Sequence, residues 1–266
     1  MKNILTFDVE DNFTRAELSD PDDWVRYEGQ VVDNTRAILD MLQRHDTTAT
    51  FFLLGKVVER RPELVRMITQ AKHEVASHGY AHQKVSLLGK SGFSEDVKLS
   101  KSLLESLSGQ PVKGFRAMAF SVSMETVWAL DLLGEQGLRY DSSMFDTVCK
   151  TNLQGVAPHL VRGFTEVPVS TITIAGKQFA IGGGIFFRIV PYWIIKRIIE
   201  DQNAKGYPVL LYSHVWEFNK DQPKRNVSFL QKLAQAPVTY TAPRKIESLV
   251  QRFRFTSIED YLGYVD

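Results

Sequence analysis

Short apolar runs alternate with segments of helical spacing up to about residue 145, and this alternation constrains the fold more than any other feature. Ile4–Phe7 and Thr47–Leu54 are apolar, partly β-branched runs, and Asn34–Gln43 between them has apolar residues at helical spacing. Pro62–Gln70 and His73–Ser77 repeat the order of helix and strand. Strands that alternate with helices in this way form parallel sheets or barrels covered by helices. We therefore predict an α/β fold.

The remaining elements follow from the same periodicities, although the pattern changes near residue 150. The spacing predicts helices over Ser94–Leu107, Glu125–Gln136, Pro191–Asn203 and Arg244–Phe253, and strands that end near Arg116 or cover Val167–Ile174, Lys177–Ile181 and Val209–Ser213. The glycine run that starts at Gly182 lacks the Lys-Ser/Thr of a phosphate-binding loop and is interpreted as a tight turn. Because there is no internal repeat and no long linker, the 266 residues are predicted to form one domain.

Charge and composition exclude several classes of partner. Lys and Arg number 32 and Asp and Glu number 31, so no electrostatic attraction to nucleic acid or to an anionic membrane is expected. The single cysteine, Cys149, cannot form a disulfide within the chain. The chain has no apolar stretch of roughly eighteen residues, and the Met1–Asp8 segment is too short for a signal peptide, so we expect a cytoplasmic protein without a membrane span. Composition does not predict the oligomeric state.

Acidic side chains follow the first predicted strand in the segment Asp8-Val9-Glu10-Asp11. Carboxylates this close together repel one another unless a cation or an arginine neutralises them. The segment therefore indicates a cation site or, as the alternative, the N-terminal cap of a helix or a hydrated loop.

The histidines His78 and His82 follow the third predicted strand at a spacing of four residues. In a helical turn this spacing places both imidazoles on one face, where they can bind one metal ion. The alternative is that they are unrelated surface histidines. The acidic segment at the end of another strand favours the metal site.

A third histidine, His214, ends the apolar strand predicted over Val209–Ser213 and is followed by Trp216 and Glu217. A histidine beside a glutamate can have a pKa suited to a general acid, although a half-buried structural histidine has the same pattern. Arg116 ends another predicted strand and is expected to pair with a carboxylate, unless it is an ordinary surface arginine. These residues all fall at predicted strand ends, which meet at the carboxyl-terminal rim of a barrel.

In their order along the chain, these clusters resemble the motifs of the polysaccharide deacetylase family, which has the NodB-homology domain. The segments that carry the resemblance are Thr6–Asp11, Thr48–Gly55, His78–His82, Gly114–Ser121, Tyr140–Ser143 and His214 at the end of its strand. They span roughly residues 3 to 218, and several motifs in the correct order are far more specific than any one of them. The resemblance implies a distorted (β/α)7-type barrel and a hydrolase that removes acetyl groups from N-acetylated sugars.

The resemblance also implies a role for each residue of the site. Asp8 would be the general base that activates a metal-bound water, with Arg116 orienting it. His214 would be the general acid that protonates the departing amine. His78 and His82 would bind the metal, for which zinc is the expected ion.

An acidic residue after the general base would complete the metal site. Both Glu10 and Asp11 remain candidates, because this chain inserts Val-Glu where the family has adjacent aspartates. Asp141 and Ser142 of the fourth motif and the aromatic Trp216 are candidates for contacts with the N-acetylated saccharide. No organic cofactor is expected.

A closer resemblance is to the branch of the family found with exopolysaccharide export systems. Asp8–Asp11, the glycine-rich Gly182–Arg188 and His214–Glu217 match the features of that branch. This resemblance implies that the substrate is an exopolysaccharide or a lipid-linked precursor, and that the part from about residue 220 to residue 266 is a family-specific extension. The expected cytoplasmic location favours the precursor.

Departures from the family pattern occur at Gly79, which replaces a Ser or Thr, and at Met118 and Val215, which replace prolines. They leave room for altered specificity or weak activity. Alternative functions therefore stay open: a saccharide-binding relative without turnover, or an amidase that acts on a non-sugar substrate. A glycoside hydrolase that uses Glu166 and Glu217 would leave the histidine pair unexplained.

Overall fold

The structure is a computed structural model that describes residues 1–10, 30–144, 157–174, 177–180, 182–184, 187, 190–218 and 241–264. Its strands are β1 (Lys2–Val9), β2 (Thr50–Leu53), β3 (Glu74–Ser77), β4 (Gly114–Phe115), β5 (Tyr140–Asp141), β6 (His159–Val161), β7 (Phe164–Glu166), β8 (Thr171–Ile174), β9 (Lys177–Ala180), β10 (Leu210–His214) and β11 (Arg254–Thr256). Its helices are α1 (Val31–Arg44), α2 (Gly55–Arg60), α3 (Glu63–Gln70), α4 (Val85–Ser108), α5 (Trp128–Glu135), α6 (Tyr192–Ala204), α7 (Ala242–Arg252) and α8 (Ile258–Leu262).

Seven neighbouring strands of the main sheet run parallel, in the order β10-β1-β2-β3-β4-β5-β7. β6 extends the sheet as the antiparallel partner of β7, and β11 pairs with the beginning of β1. The sheet curls into an incomplete barrel, and β8 and β9 form a separate hairpin, in which β8 begins at Thr171 and not at the predicted Val167. This topology confirms the predicted α/β fold with a distorted barrel.

Residues of β1 alternate between the two faces of the sheet. Leu5 and Phe7 belong to the large apolar cluster that the outer helices cover. Ile4 belongs to a second apolar cluster, with Phe52, inside the curl of the sheet. Since side chains two residues apart point to the same face of a strand, Asp8 shares the inner face with Ile4. Burial of both faces explains why the sequence of β1 is a continuous apolar run.

The register of the parallel strands brings their polar ends together. Asp8 of β1 lies opposite His214 of β10, and Ser77 of β3 lies opposite Phe115 of β4. Residues that end these strands, or directly follow them, therefore emerge at one edge of the sheet.

The helices differ from the predicted ones in several places, among them α2, which the sequence does not predict. α4 begins at Val85 and not at Ser94, because it continues across a kink at Gly89, whose φ of 62° interrupts the helical spacing. The spacing does not predict α8, whose N-terminus is capped by the Ser257 hydroxyl, which accepts a hydrogen bond from the backbone N–H of Asp260 at 3.1 Å. Among the described residues, no helix combines the length and the apolar character needed to cross a bilayer.

Glu74, at the start of β3, is a buried carboxyl group at the edge of the sheet opposite the predicted site. It accepts hydrogen bonds from the Thr50 hydroxyl at 2.5 Å, the Tyr140 hydroxyl at 2.6 Å and the backbone N–H of Glu259 at 3.0 Å. Burial, with the nearby Glu259 carboxylate, raises the pKa of Glu74 from 4.5 to about 7. The folded protein therefore binds this proton more tightly than the unfolded chain does.

The raised pKa of Glu74 predicts a dependence of stability on pH. Its contribution to the free energy of unfolding is fully present below the ordinary pKa of 4.5 and is lost as the pH rises through about 7. Glu74→Gln retains an acceptor for Thr50 and Glu259 but does not titrate. Relative to the wild type, we expect the free energy of unfolding of this variant to rise by up to about 3 kcal/mol between roughly pH 5 and pH 8.

Urea unfolding across this pH range measures the effect, with the exposed Glu63→Gln as the control. If wild type and Glu74→Gln show the same dependence on pH, Glu74 does not titrate in this range.

Candidate active site

One cavity of about 250 Å³ is lined by polar side chains from the ends of several strands. Its lining residues are Asp8, Glu10, His78, His82, Ala117, Met118, Ala119, Phe120, Tyr212 and His214. A larger cavity of about 1020 Å³ lies between α1 and α7, but none of these histidines lines it. The smaller cavity is therefore the candidate active site.

Glu10, His78 and His82 form a compact group of possible metal ligands. The Oε2 atom of Glu10 lies 2.6 Å from Nε2 of His82 and 4.0 Å from Nε2 of His78. All three ligand atoms lie within 4.8 Å of one another, and all three residues are buried. Two imidazoles and one carboxylate are the ligand set of many catalytic zinc sites, which keep a further position open for water or substrate.

The contacts and charge states of this group also suit a metal ion. Nδ1 of His78 lies 2.8 Å from the carbonyl oxygen of Arg116, which can only accept, so Nδ1 carries the proton and Nε2 keeps its lone pair for a metal. Burial lowers the pKa of His78, which favours the neutral imidazole. Burial raises the pKa of Glu10, but His82 and the other histidines lower it well below its ordinary range, so the carboxylate is ionised. Metal ligands require these protonation states.

The segment that carries both histidines is a loop and not the helical turn that the spacing predicts. Gly79 and His82 have φ values of 75° and 57°, in the left-handed region, which a right-handed helix excludes. The loop nevertheless brings the two rings together, with their centroids 5.4 Å apart. The two imidazoles are therefore close enough to share a metal ion, although a loop and not a helical turn brings them together.

Arg116 pairs with Asp8, as the sequence predicts. Its Nη1 donates to Oδ1 of Asp8 at 2.8 Å and to the hydroxyl of Thr6 at 2.9 Å. Its Nε and Nη2 donate to the backbone carbonyl and the hydroxyl of Ser142, at 3.1 and 2.9 Å. The guanidinium is fully buried, and these contacts fix it beside Asp8. It neutralises one of the carboxylates that the sequence places close together.

Asp141 and Ser142, which the sequence suggests as contacts for the saccharide, are fully buried and do not line the cavity. Asp141 of β5 is the register partner of Phe115 on β4, the residue before Arg116. The side chain of Asp141 therefore lies deeper in the sheet than the edge at which the cavity opens. It accepts a hydrogen bond from the Ser143 hydroxyl at 2.5 Å, and burial raises its pKa to about 6. The structure thus places Ser142 against Arg116 and Asp141 against Ser143, and neither residue lines the cavity.

His214 faces the metal-ligand group from β10. Its Nε2 lies 3.6 Å from Oε1 of Glu10, and its Nδ1 lies 3.4 Å from Oε1 of Glu217. Burial lowers the pKa of His214, but Glu217, Glu10 and Asp8 raise it by more, so the net shift is upward. A protonated imidazole beside the cavity has the properties of a general acid.

Trp216 covers His214 and does not offer a free ring face. The two rings stack with centroids 5.2 Å apart, and the indole N–H donates to Oε1 of Glu10 at 3.4 Å. The side chain is buried, which leaves little surface for a sugar. Its contacts support the histidine and the carboxylate.

Asp11, the other candidate for the carboxylate ligand, lies outside the described residues. Sequence reasoning missed Thr6 and Tyr212, which stand two positions before Asp8 and His214. The two-residue period of a strand could have identified them, because it places Thr6 on the same face as Asp8 and Tyr212 on the same face as His214.

Two family models match this chain. The model described as "Polysaccharide deacetylase" matches residues 4–138, which is half of the chain. A model described as a domain of unknown function (DUF3473) matches residues 148–263. The first match contains Asp8, Glu10, His78, His82 and Arg116, whereas His214 lies in the second.

Individual relatives agree with the family match. The peptidoglycan-N-acetylglucosamine deacetylase of Bacillus cereus is 30% identical over 89 residues, which are 34% of this chain and 32% of that protein. The chain spans about a third of the length of the relatives that it matches in this way.

Solved structures share the fold. A protein of Mycobacterium smegmatis described as a polysaccharide deacetylase superimposes with a TM-score of 0.63 and 19% identity, over 98% of this chain and 88% of that one. A pseudoenzyme of the CE4 family from Bacillus anthracis superimposes with a TM-score of 0.52 and 15% identity, over 98% of this chain and 66% of that one. The shared fold does not by itself imply turnover.

Proposed function

Because this chain belongs to the polysaccharide deacetylase family, we propose that it is a metal-dependent hydrolase that removes N-acetyl groups from a saccharide containing N-acetylhexosamine. The observation that carries the proposal is that one cavity is lined by the possible metal ligands Glu10, His78 and His82. The same cavity is also lined by Asp8 and His214, a candidate base and a candidate acid.

A divalent cation, with zinc as the expected ion, would be held by Glu10, His78 and His82. When bound, it would supply Lewis acidity, which lowers the pKa of water and polarises an acyl carbonyl. The lowered pKa values of Glu10 and His78 favour the ionised carboxylate and the neutral imidazole that such an ion needs.

The chain's own residues would move the protons. Asp8 would accept a proton from the attacking water while Arg116 holds its carboxylate in place. His214 would donate a proton to the amine nitrogen as the bond between the acyl carbon and nitrogen breaks, which releases acetate and the free amino sugar. Asp8 and His214 are register partners on the adjacent strands β1 and β10 and line the same cavity, so a base and an acid can reach the same acyl group.

We further propose that the saccharide belongs to an exopolysaccharide or to its lipid-linked precursor. The motif around Glu10 and the motif around Trp216, which carry the resemblance to that branch, contact each other through the indole N–H. Acetate release from a lipid-linked N-acetylhexosamine and from finished polymer, measured side by side, distinguishes the two substrates.

Metal removal tests the proposed function. We expect the wild type to contain about one divalent ion per chain and to release acetate from N-acetylglucosamine oligomers. A chelator should abolish release, and added zinc should restore it. Glu10→Gln should weaken metal affinity by more than the roughly 10- to 100-fold that loss of a group supporting a ligand causes.

The exposed Glu63→Gln is the matched control and should change neither metal content nor acetate release. Bound metal without acetate release from any N-acetylated sugar would instead favour a saccharide-binding relative or an amidase on another substrate. Acetate release that persists after complete metal removal would contradict the proposal.

A further inference from the structure

A single carboxylate on α4 holds the loop that carries both histidine ligands. Oδ2 of Asp96 accepts the backbone N–H of Tyr80 at 2.7 Å, and Oδ1 accepts the backbone N–H of Ala81 at 2.8 Å. Both amides lie between His78 and His82 in the chain. Asp96 is buried, so solvent competes little for these hydrogen bonds.

Gly79 leaves the space that this carboxylate occupies. A Cβ atom on Gly79 would lie 2.7 Å from Oδ2 of Asp96, and the φ of 75° is itself unfavourable for any other residue. The carboxylate reaches the loop from a different element, sixteen residues after Tyr80.

The other side of the loop is held by backbone groups. The N–H of Gly55 donates to the carbonyl of Gly79 at 2.9 Å, and the N–H of Lys56 donates to the carbonyl of Tyr80 at 3.1 Å. These donors stand at the start of α2. The loop is therefore fixed between two helices, where Asp96 accepts the amides of Tyr80 and Ala81 and the Ser77 hydroxyl accepts that of Gly79.

We propose that Asp96 is a positioning residue that sets His78 and His82 for metal binding. Only a carboxylate can accept from two neighbouring amides with its two oxygens, so neither Asn nor Ala replaces it. The inference rests on the proposed function, because it takes His78 and His82 as metal ligands. Groups that orient metal ligands usually contribute roughly 10- to 100-fold to metal affinity.

Zinc titration of the metal-free, full-length protein against a chromophoric chelator tests this role. Asp96→Ala should bind zinc roughly 10- to 100-fold more weakly than the wild type. The zinc affinity of Asp96→Asn should also fall, because the NH2 group of the amide would face a backbone N–H and cannot accept from it. Asn3→Ala is the matched control. Asn3 is also buried, and its Oδ1 accepts the backbone N–H of Val209 at 2.8 Å, but it lies at the far end of β1.

Unchanged zinc affinity in Asp96→Ala would overturn the inference and leave the proposed function standing. If Asp96→Ala does not fold, the zinc affinity of Asp96→Asn provides the same test. An equal loss of affinity in Asn3→Ala would also overturn it, because general destabilisation would then explain the effect. A wild type that binds no zinc would contradict the proposed function, and the inference with it.

Discussion

Asp8→Asn is expected to lower kcat for acetate release by roughly 10²- to 10⁴-fold, the usual contribution of a general base. The amide cannot take a proton from water, yet it has nearly the shape of the carboxylate and keeps an oxygen for the Nη1 atom of Arg116. The proposed metal ligands Glu10, His78 and His82 are unchanged, so zinc affinity should stay close to that of the wild type. Steady-state kinetics and zinc titration on the same preparation measure both quantities.

Asp33→Asn is the control for Asp8→Asn, because it removes an exposed carboxylate that pairs with Arg36 on the same helix. Its kcat should equal that of the wild type. If Asp8→Asn keeps full activity, Asp8 is not the base. If it loses zinc together with activity, its main role is in the metal site.

Arg116→Met is expected to lower the free energy of unfolding by about 3–5 kcal/mol, the usual result of removing one partner of a buried ion pair. The substitution leaves the Asp8 carboxylate buried without its cation, and the hydroxyls of Thr6 and Ser142 lose a donor. The guanidinium also lies 4.1 Å from the ring centre of Phe52, so packing is lost as well. Chemical denaturation followed by circular dichroism measures the change.

Arg162→Met is the matched control, since Arg162 pairs with Asp131 at 3.0 Å but both side chains are largely exposed. Such surface pairs contribute about 0–1 kcal/mol, so little change is expected. A loss in Arg116→Met no larger than in this control would show that the Asp8–Arg116 pair does not stabilise the fold. Acetate release should fall together with stability, because Asp8 loses the group that places it.

The architecture and most residues of the candidate site could be predicted from the amino-acid sequence. Apolar runs that alternate with helical spacing predict parallel strands, and parallel strands bring their carboxyl ends to one edge. The grouping of Asp8, His78, Arg116 and His214 follows from that rule, since each lies within one residue of the end of a strand. Periodicity is a local property, so it can be read without knowledge of distant contacts.

The contacts of the remaining residues could be seen in the tertiary structure but not predicted from the sequence. The spacing of His78 and His82 predicts a helical turn, whereas the chain forms a loop that Asp96 holds from another helix. Asp141 lies below the rim, because the register of β5 against β4 sets its depth in the sheet. Trp216 lies against His214 and not toward a substrate. Each outcome depends on contacts between residues far apart in the chain, and a periodic pattern contains no information about such contacts.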